Sequence, residues 1–126
     1  MRLSHVLHLA CLLWATSATA ETTLGFLTSA HKEEIVKQVG TQLVDPTSAQ
    51  FRWPPPREFG LYCAWVNDKN VYGKYKGFEP FFVIGGIVDV DGFIAGDVTL
   101  GSGDKRSIVE NMCSNAGFDM SGPPLW

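Results

Sequence analysis

LYCAWV at Leu61 to Val66, FFVIGGIVDV at Phe81 to Val90 and FIAGDVTL at Phe93 to Leu100 are three short runs dense in aromatic and β-branched residues. That composition is strand chemistry. In the first run Tyr62, Ala64 and Val66 fall on one face and Leu61, Cys63 and Trp65 on the other. Asp91-Gly92 joins the second and third runs as a tight hairpin turn, and Asn67-Asp68-Lys69-Asn70 is turn chemistry after the first. Gly85-Gly86 inside the second run predicts a bulge or the close approach of a neighbour.

Outward from the strands, the sequence turns helical on both sides. Ile35, Val39 and Leu43 recur every four residues with Val36 beside them, which predicts a helix from about Ala30 to Val44. Thr28 or Ser29 is its N-cap, Glu33 and Glu34 favour its positive end, and Asp45-Pro46 stops it. After Gly101-Ser102-Gly103 a second helix is predicted over Asp104 to Ala116, capped by Ser102 or Asp104 and closed by Gly117. Its buried stripe is expected to be Ile108, Val109, Met112, Cys113 and Ala116. Helices bracketing a run of strands point to an α+β fold. The expected architecture is a two-layer sandwich, with a three-stranded antiparallel meander and both helices on one face. Thr47 to Phe59 reads as an extended connector anchored by Phe51 and Trp53, and Pro54-Pro55-Pro56 is a stiff spacer rather than a polyproline ligand. A loose tail is expected from about residue 119.

The N-terminus carries an address. Arg2 precedes the apolar run VLHLACLLWA at Val6 to Ala15, and Ala18-Thr19-Ala20 has the Ala-x-Ala spacing of a cleavage site. This is the pattern of a secretory signal peptide, and the run is too short for a permanent membrane span. Cleavage is expected after Ala20, leaving residues 21–126 as a single domain in the periplasm or outside the cell. Lipid attachment at Cys11 is the weaker reading, because the preceding apolar stretch is short and His8 interrupts it.

Processing changes the chemistry available. Of the three cysteines in the 126-residue chain, Cys11 leaves with the leader and Cys63 and Cys113 remain. Two cysteines in an exported protein are the usual setting for one disulfide. Here it would tie the first strand to the last helix and contribute up to roughly 4 kcal/mol. The alternative, two separate thiols or a metal pair, has only His31 to complete it and makes a poor ligand set. Nine Lys and Arg then face 13 Asp and Glu, so the charge passes from −3 to −4 on losing Arg2. That balance gives whole-chain electrostatics no footing for nucleic acid or an anionic membrane.

Catalytic signals are sparse. Covalent catalysis needs a nucleophile beside a base, and the processed chain has one histidine and two cysteines expected to be oxidised. Carboxylates are plentiful but no pair carries a motif. Asp89-Val90-Asp91-Gly92, with Asp97 beyond, reads as a hairpin turn rather than a calcium loop, because hydrophobic strand residues occupy ligand positions. No cofactor or metal is called for, and no oligomeric state follows.

The distinctive segment is Asn67 to Pro80, NDKNVYGKYKGFEP. It sets Tyr72, Tyr75 and Phe78 among Lys69, Lys74 and Lys76 with Gly73 and Gly77 as spacers, and its local charge is +1. Aromatics held by glycines in a loop are expected to pack on the protein or on a partner. Two readings stand side by side: a recognition loop built on Asn67, Asn70, Tyr72, Tyr75 and Phe78, or a long loop whose tyrosines fold back on the core.

Asp45-Pro46-x-Ser48-Ala49-x-Phe51, followed by Cys63-x-x-Val66-Asn67-x-x-Asn70-x-Tyr72-Gly73-x-Tyr75-x-Gly77 and Phe81, resembles a family of small exported proteobacterial proteins of unknown function. Its members read roughly D-P-x-S-A-x-F, then C-G-x-V-N-x-x-N-x-x-G-G-Y-x-G-x-x-x-F, behind signal or lipoprotein leaders. The resemblance spans Asp45 to about Phe82 and extends weakly to the cysteine of the last helix. It implies export and carries no activity with it, since the family's function is unknown. The chain departs from the pattern at Ala64 and Lys74, where glycines are usual. The expected function is a periplasmic, non-enzymatic module that binds or supports an unknown envelope protein or ligand. The alternatives are an inhibitor or immunity-type protein of an exported enzyme and a small carboxylate-dependent hydrolase.

Overall fold

In the computed structural model, residues 27–57, 60–87 and 93–124 are described. The leader, the Asp91-Gly92 turn and the calcium reading of Asp89 to Gly92 lie outside the described residues. The elements are α1 (Ser29–Gly40), β1 (Gln50–Arg52), β2 (Gly60–Lys69), β3 (Tyr75–Ile87), β4 (Phe93–Leu100), a single 3-10 turn (Gly103–Lys105) and α2 (Arg106–Asn115). The strands form one antiparallel meander in the order β1-β2-β3-β4. The α+β class holds, with four strands instead of three.

The added strand is β1, taken from the stretch read as a connector. It pairs Phe51 with Val66 and Arg52 with Trp65. Three residues are too few for a periodic signal, so only pairing with β2 reveals it. The second difference is length. β2 continues through the predicted turn to Lys69, and β3 begins at Tyr75, so most of Asn67 to Pro80 is a ladder and not a loop. The turn itself moves to Asn70–Lys74.

The helices do not share a face. Residues paired across neighbouring strands point to the same side, and the register pairs Tyr62 with Val83 and Ala64 with Phe81. Val83 and Phe81 pair in turn with Val98 and Leu100. α1 serves this side: Lys32 lies 5.7 Å from the Trp53 ring, which stacks on Tyr62, and the chain just past α1 is held by Asp68. α2 serves the other side. Its Cys113 is bonded to Cys63, with the Cα atoms 5.9 Å apart, and its Arg106 guanidinium lies 5.9 Å from the Trp65 ring. The physical reason lies in LYCAWV. Tyr62, Cys63, Ala64, Trp65 and Val66 are all buried, and a strand apolar on both faces needs cover on both.

Local sequence explains the helix ends. Thr28 caps α1: its hydroxyl accepts the His31 N–H at 3.2 Å, and its own N–H donates to His31 Nδ1 at 3.3 Å. This is a capping box with imidazole in place of the usual Glu or Gln. Ile35 and Val39 are buried as the periodicity predicts, but the helix stops at Gly40 and Val44 is exposed. Three-residue hydrogen bonds tighten the chain there, from Gln42 to Val39 and from Leu43 to Gly40. The next N–H groups are drawn away to Asp68.

In α2 the buried positions are Val109 and Cys113, whereas Ile108 and Met112 are exposed, which corrects the wider stripe. Neither Ser102 nor Asp104 caps it; the 3-10 turn leads in, and the Ser102 hydroxyl donates to Glu79 at 2.8 Å. Gly117 (φ 89°) closes it, with the Phe118 N–H returning to the Cys113 carbonyl, a Schellman-type end. Gly101 permits a close crossing: a Cβ there would stand 2.8 Å from the Pro80 oxygen and 3.2 Å from Val109. Beyond α2, Phe118 is buried edge-on against Tyr62, and Met120 packs on the core.

Tyr62 gives the fold a pH dependence. Its hydroxyl donates to the Pro54 carbonyl at 2.6 Å, and burial raises the phenol well above its ordinary value. The unfolded phenol ionises at about pH 10, while the folded one keeps its proton. Stability is therefore fully present below about pH 10 and declines as pH rises beyond it. Denaturant melts at about pH 8 and pH 11 should show this loss. Tyr62→Phe should flatten the dependence while costing about 1 kcal/mol at neutral pH for the missing hydrogen bond.

Candidate binding surface

The β2–β3 hairpin tip is built by two asparagines at different depths. Asn70 organises the turn: its side-chain oxygen accepts the N–H groups of Tyr72 (2.9 Å) and Lys74 (3.1 Å). Its backbone closes the ring, donating to the Lys74 carbonyl at 2.8 Å and accepting from Gly73 at 3.0 Å. Gly73 has φ 78°, a left-handed conformation that glycine adopts without strain. Asn67 lies deeper and is buried. Its oxygen accepts the Gly77 N–H at 2.9 Å, and its amide donates to Gln50 on β1 at 3.2 Å.

These bonds fix where the aromatics go. Val71 is 77% and Tyr72 86% exposed at the apex, whereas Tyr75 is 44% exposed. The Tyr75 hydroxyl donates to the Ser48 carbonyl at 2.8 Å, and Lys69 sits 5.1 Å from its ring. Phe78 is half-buried under Arg52, whose guanidinium lies 5.0 Å from the ring. The five candidate residues thus divide: Tyr72 faces solvent, Tyr75 braces the hairpin, Phe78 lies along its flank, and Asn67 and Asn70 set the backbone.

The brace depends on the Asp45 to Phe51 string. The Asp45 N–H is held by Asp68, its carboxylate accepts the Thr47 hydroxyl at 2.9 Å, and the neighbouring Ser48 and then Thr47 hold its carboxyl below the usual range. This turn presents the Ser48 carbonyl to Tyr75. No local pattern links the two stretches, although an Asp-Pro-x-Ser turn before a strand is a signal of local side-chain closure.

Charge is distributed unevenly on the hairpin. Asp68 is 3% exposed and accepts N–H groups from Val44, Asp45 and Lys69. Glu79 accepts from Ser102 and lies 3.9 Å from Lys76. Both carboxylates of the segment have partners within the chain, and Lys74 stands exposed beside Tyr72.

Two open depressions lie elsewhere. One, of about 570 Å³, runs along the end of α2 and includes Arg57, Glu110, Phe118 and Asp119. Glu110 is paired with Arg106 at 2.8 Å, and the backbone N–H and then the hydroxyl of Ser121 hold the Asp119 carboxyl below its ordinary value. The second, of about 310 Å³, lies beside β4 and includes Gln42, Val98 and Leu100. Among the described residues no group of three or more His, Cys, Asp and Glu is placed to share a metal ion, and no helix is long and apolar enough to cross a membrane. Comparison of the chain with protein-family models, curated proteins and solved structures gives no match.

Proposed function

We propose that the chain is an exported, non-enzymatic binding module that meets a cell-envelope partner with the tip of the β2–β3 hairpin. The observation that carries this reading is the exposure of Tyr72 and Val71 on a turn whose backbone is pinned by Asn70. A tyrosine ring held in water on a rigid support offers a partner a large amphipathic area to bury. Pre-organisation also lowers the entropy lost on binding. The Ala18-Thr19-Ala20 leader pattern and the disulfide support an oxidising, exported setting. The same projecting shape suits an inhibitor or immunity-type protein that plugs an exported enzyme. The hydrolase reading has less behind it, since Glu110 is paired with Arg106 and an acid held low, as Asp119 is, makes a poor proton donor.

Affinity capture with the processed protein, repeated with tyrosine variants, tests the proposal. Tyr72→Ala should leave stability within about 0.5 kcal/mol and weaken capture by about tenfold, or about 1.4 kcal/mol. Tyr75→Ala should lower stability by about 1 to 2 kcal/mol, through the lost hydrogen bond and half-buried ring. Undiminished capture by a folded Tyr72→Ala protein would refute the proposal.

A further inference from the structure

We infer that the partner receives the hairpin tip in an acidic cleft on a protein surface, an inference that rests on the reading of the hairpin as the contact element. The ground is how the structure sorts the charges of this segment. Counted along the chain, Asn67 to Glu79 holds three lysines and two carboxylates. In the fold Asp68 is buried on backbone N–H groups, and Glu79 is engaged by Ser102 and Lys76. What remains at the apex is Lys74 in solvent beside the exposed Val71-Tyr72 pair, while Lys69 lies over the Tyr75 ring with the Asp45 carboxylate near enough to interact with it. A cationic, aromatic end on a chain of net charge −3 orients it toward a surface of negative potential.

Shape and composition favour a protein cleft over a lipid surface. Val71 and Tyr72 project next to each other from a narrow turn, flanked by Asn70, Gly73 and Lys74. Two side chains offer little apolar area for insertion into a bilayer, and the rest of the chain carries net negative charge that anionic headgroups repel. A single ring in a desolvated protein pocket, by contrast, is the usual anchor of an interface. Rim carboxylates around such a pocket would pair with Lys74 without burying it, which speeds association and selects the partner.

The full chain, expressed in its own cells with a photo-reactive phenylalanine analogue in place of Tyr72, provides the test. The expected product is a covalent adduct with one protein whose cross-linked peptide, identified by mass spectrometry, lies among Asp and Glu residues. With that protein purified, affinity should fall about tenfold between low and high salt. Lys74→Glu should cost about tenfold or more, and Lys37→Glu, on exposed α1 surface, should cost nothing. An adduct whose affinity ignores salt and Lys74→Glu would overturn the acidic cleft and leave the hairpin contact standing. An adduct with lipid would overturn it in favour of a membrane. Cross-linking of the captured partner from other positions but not from 72 would overturn both the inference and the hairpin reading.

Discussion

Loss of the Cys63–Cys113 bridge is expected to lower stability by about 4 kcal/mol in the chain-entropy description, given the 50-residue separation of the two cysteines. A domain of this size has a total of about 5 to 15 kcal/mol, so the reduced protein would stand near the margin of folding. The bridge also fastens α2 over a face of β2 on which Trp65 is buried, so its loss should loosen that layer first. Denaturant melts with and without reductant, together with the Cys63→Ala/Cys113→Ala variant, measure the effect. A reduced protein within about 1 kcal/mol of the oxidised one would mean that packing alone holds α2 in place.

Asp68→Ala should cost about 3 kcal/mol or more, the second-largest effect. The carboxylate accepts the Val44 N–H at 2.8 Å, the Asp45 N–H at 3.1 Å and the Lys69 N–H at 2.8 Å. Hydrogen bonds to an ionised acceptor are worth about 1.5 to 3 kcal/mol each, and buried donors left unpaired add their own penalty. Asp68→Asn keeps one acceptor oxygen and should lose roughly half as much. The damage should spread to the hairpin, because the Asp45 turn presents the Ser48 carbonyl that holds Tyr75. Faster amide exchange at Tyr75 to Gly77 in Asp68→Ala, with α2 unaffected, would show that connection. Uniform exchange across the sheet would instead assign Asp68 to global stability alone.

The long regular features were legible from residue order. The Ile35-Val39 stripe, the FIAGDVTL strand and the Gly117 helix stop each depend on a short-range rule and the cysteine pair on parity, and each is found at or within a few residues of its predicted place. Asn67 to Pro80 differs: its composition predicts a loop, and most of it is ladder. Asn, Asp, Lys and Gly have low strand propensity, but propensity yields to pairing when a partner strand supplies the hydrogen bonds. Here Asn67 faces Phe78 and Val66 faces Glu79 across the ladder. The candidate site was legible as a list of residues and not as an arrangement. Tyr72 and Tyr75 are three residues apart with similar flanks, yet one is in solvent and the other is tied to Ser48, 27 residues away.

The sequence by itself determined the α+β class, the positions of two helices and the cysteines available for a bridge, because periodicity and turn chemistry act over a few residues and cysteine parity is a count that needs no geometry. Tertiary structure alone decided that β1 exists, that the helices take opposite faces, and that Asp68 is buried and Glu79 taken up by Ser102 and Lys76, so that Lys74 is left as the exposed charge at the hairpin tip. Each of those outcomes depends on which distant backbone or side chain offers a hydrogen-bonding partner or apolar cover, and no local pattern encodes the identity of that partner.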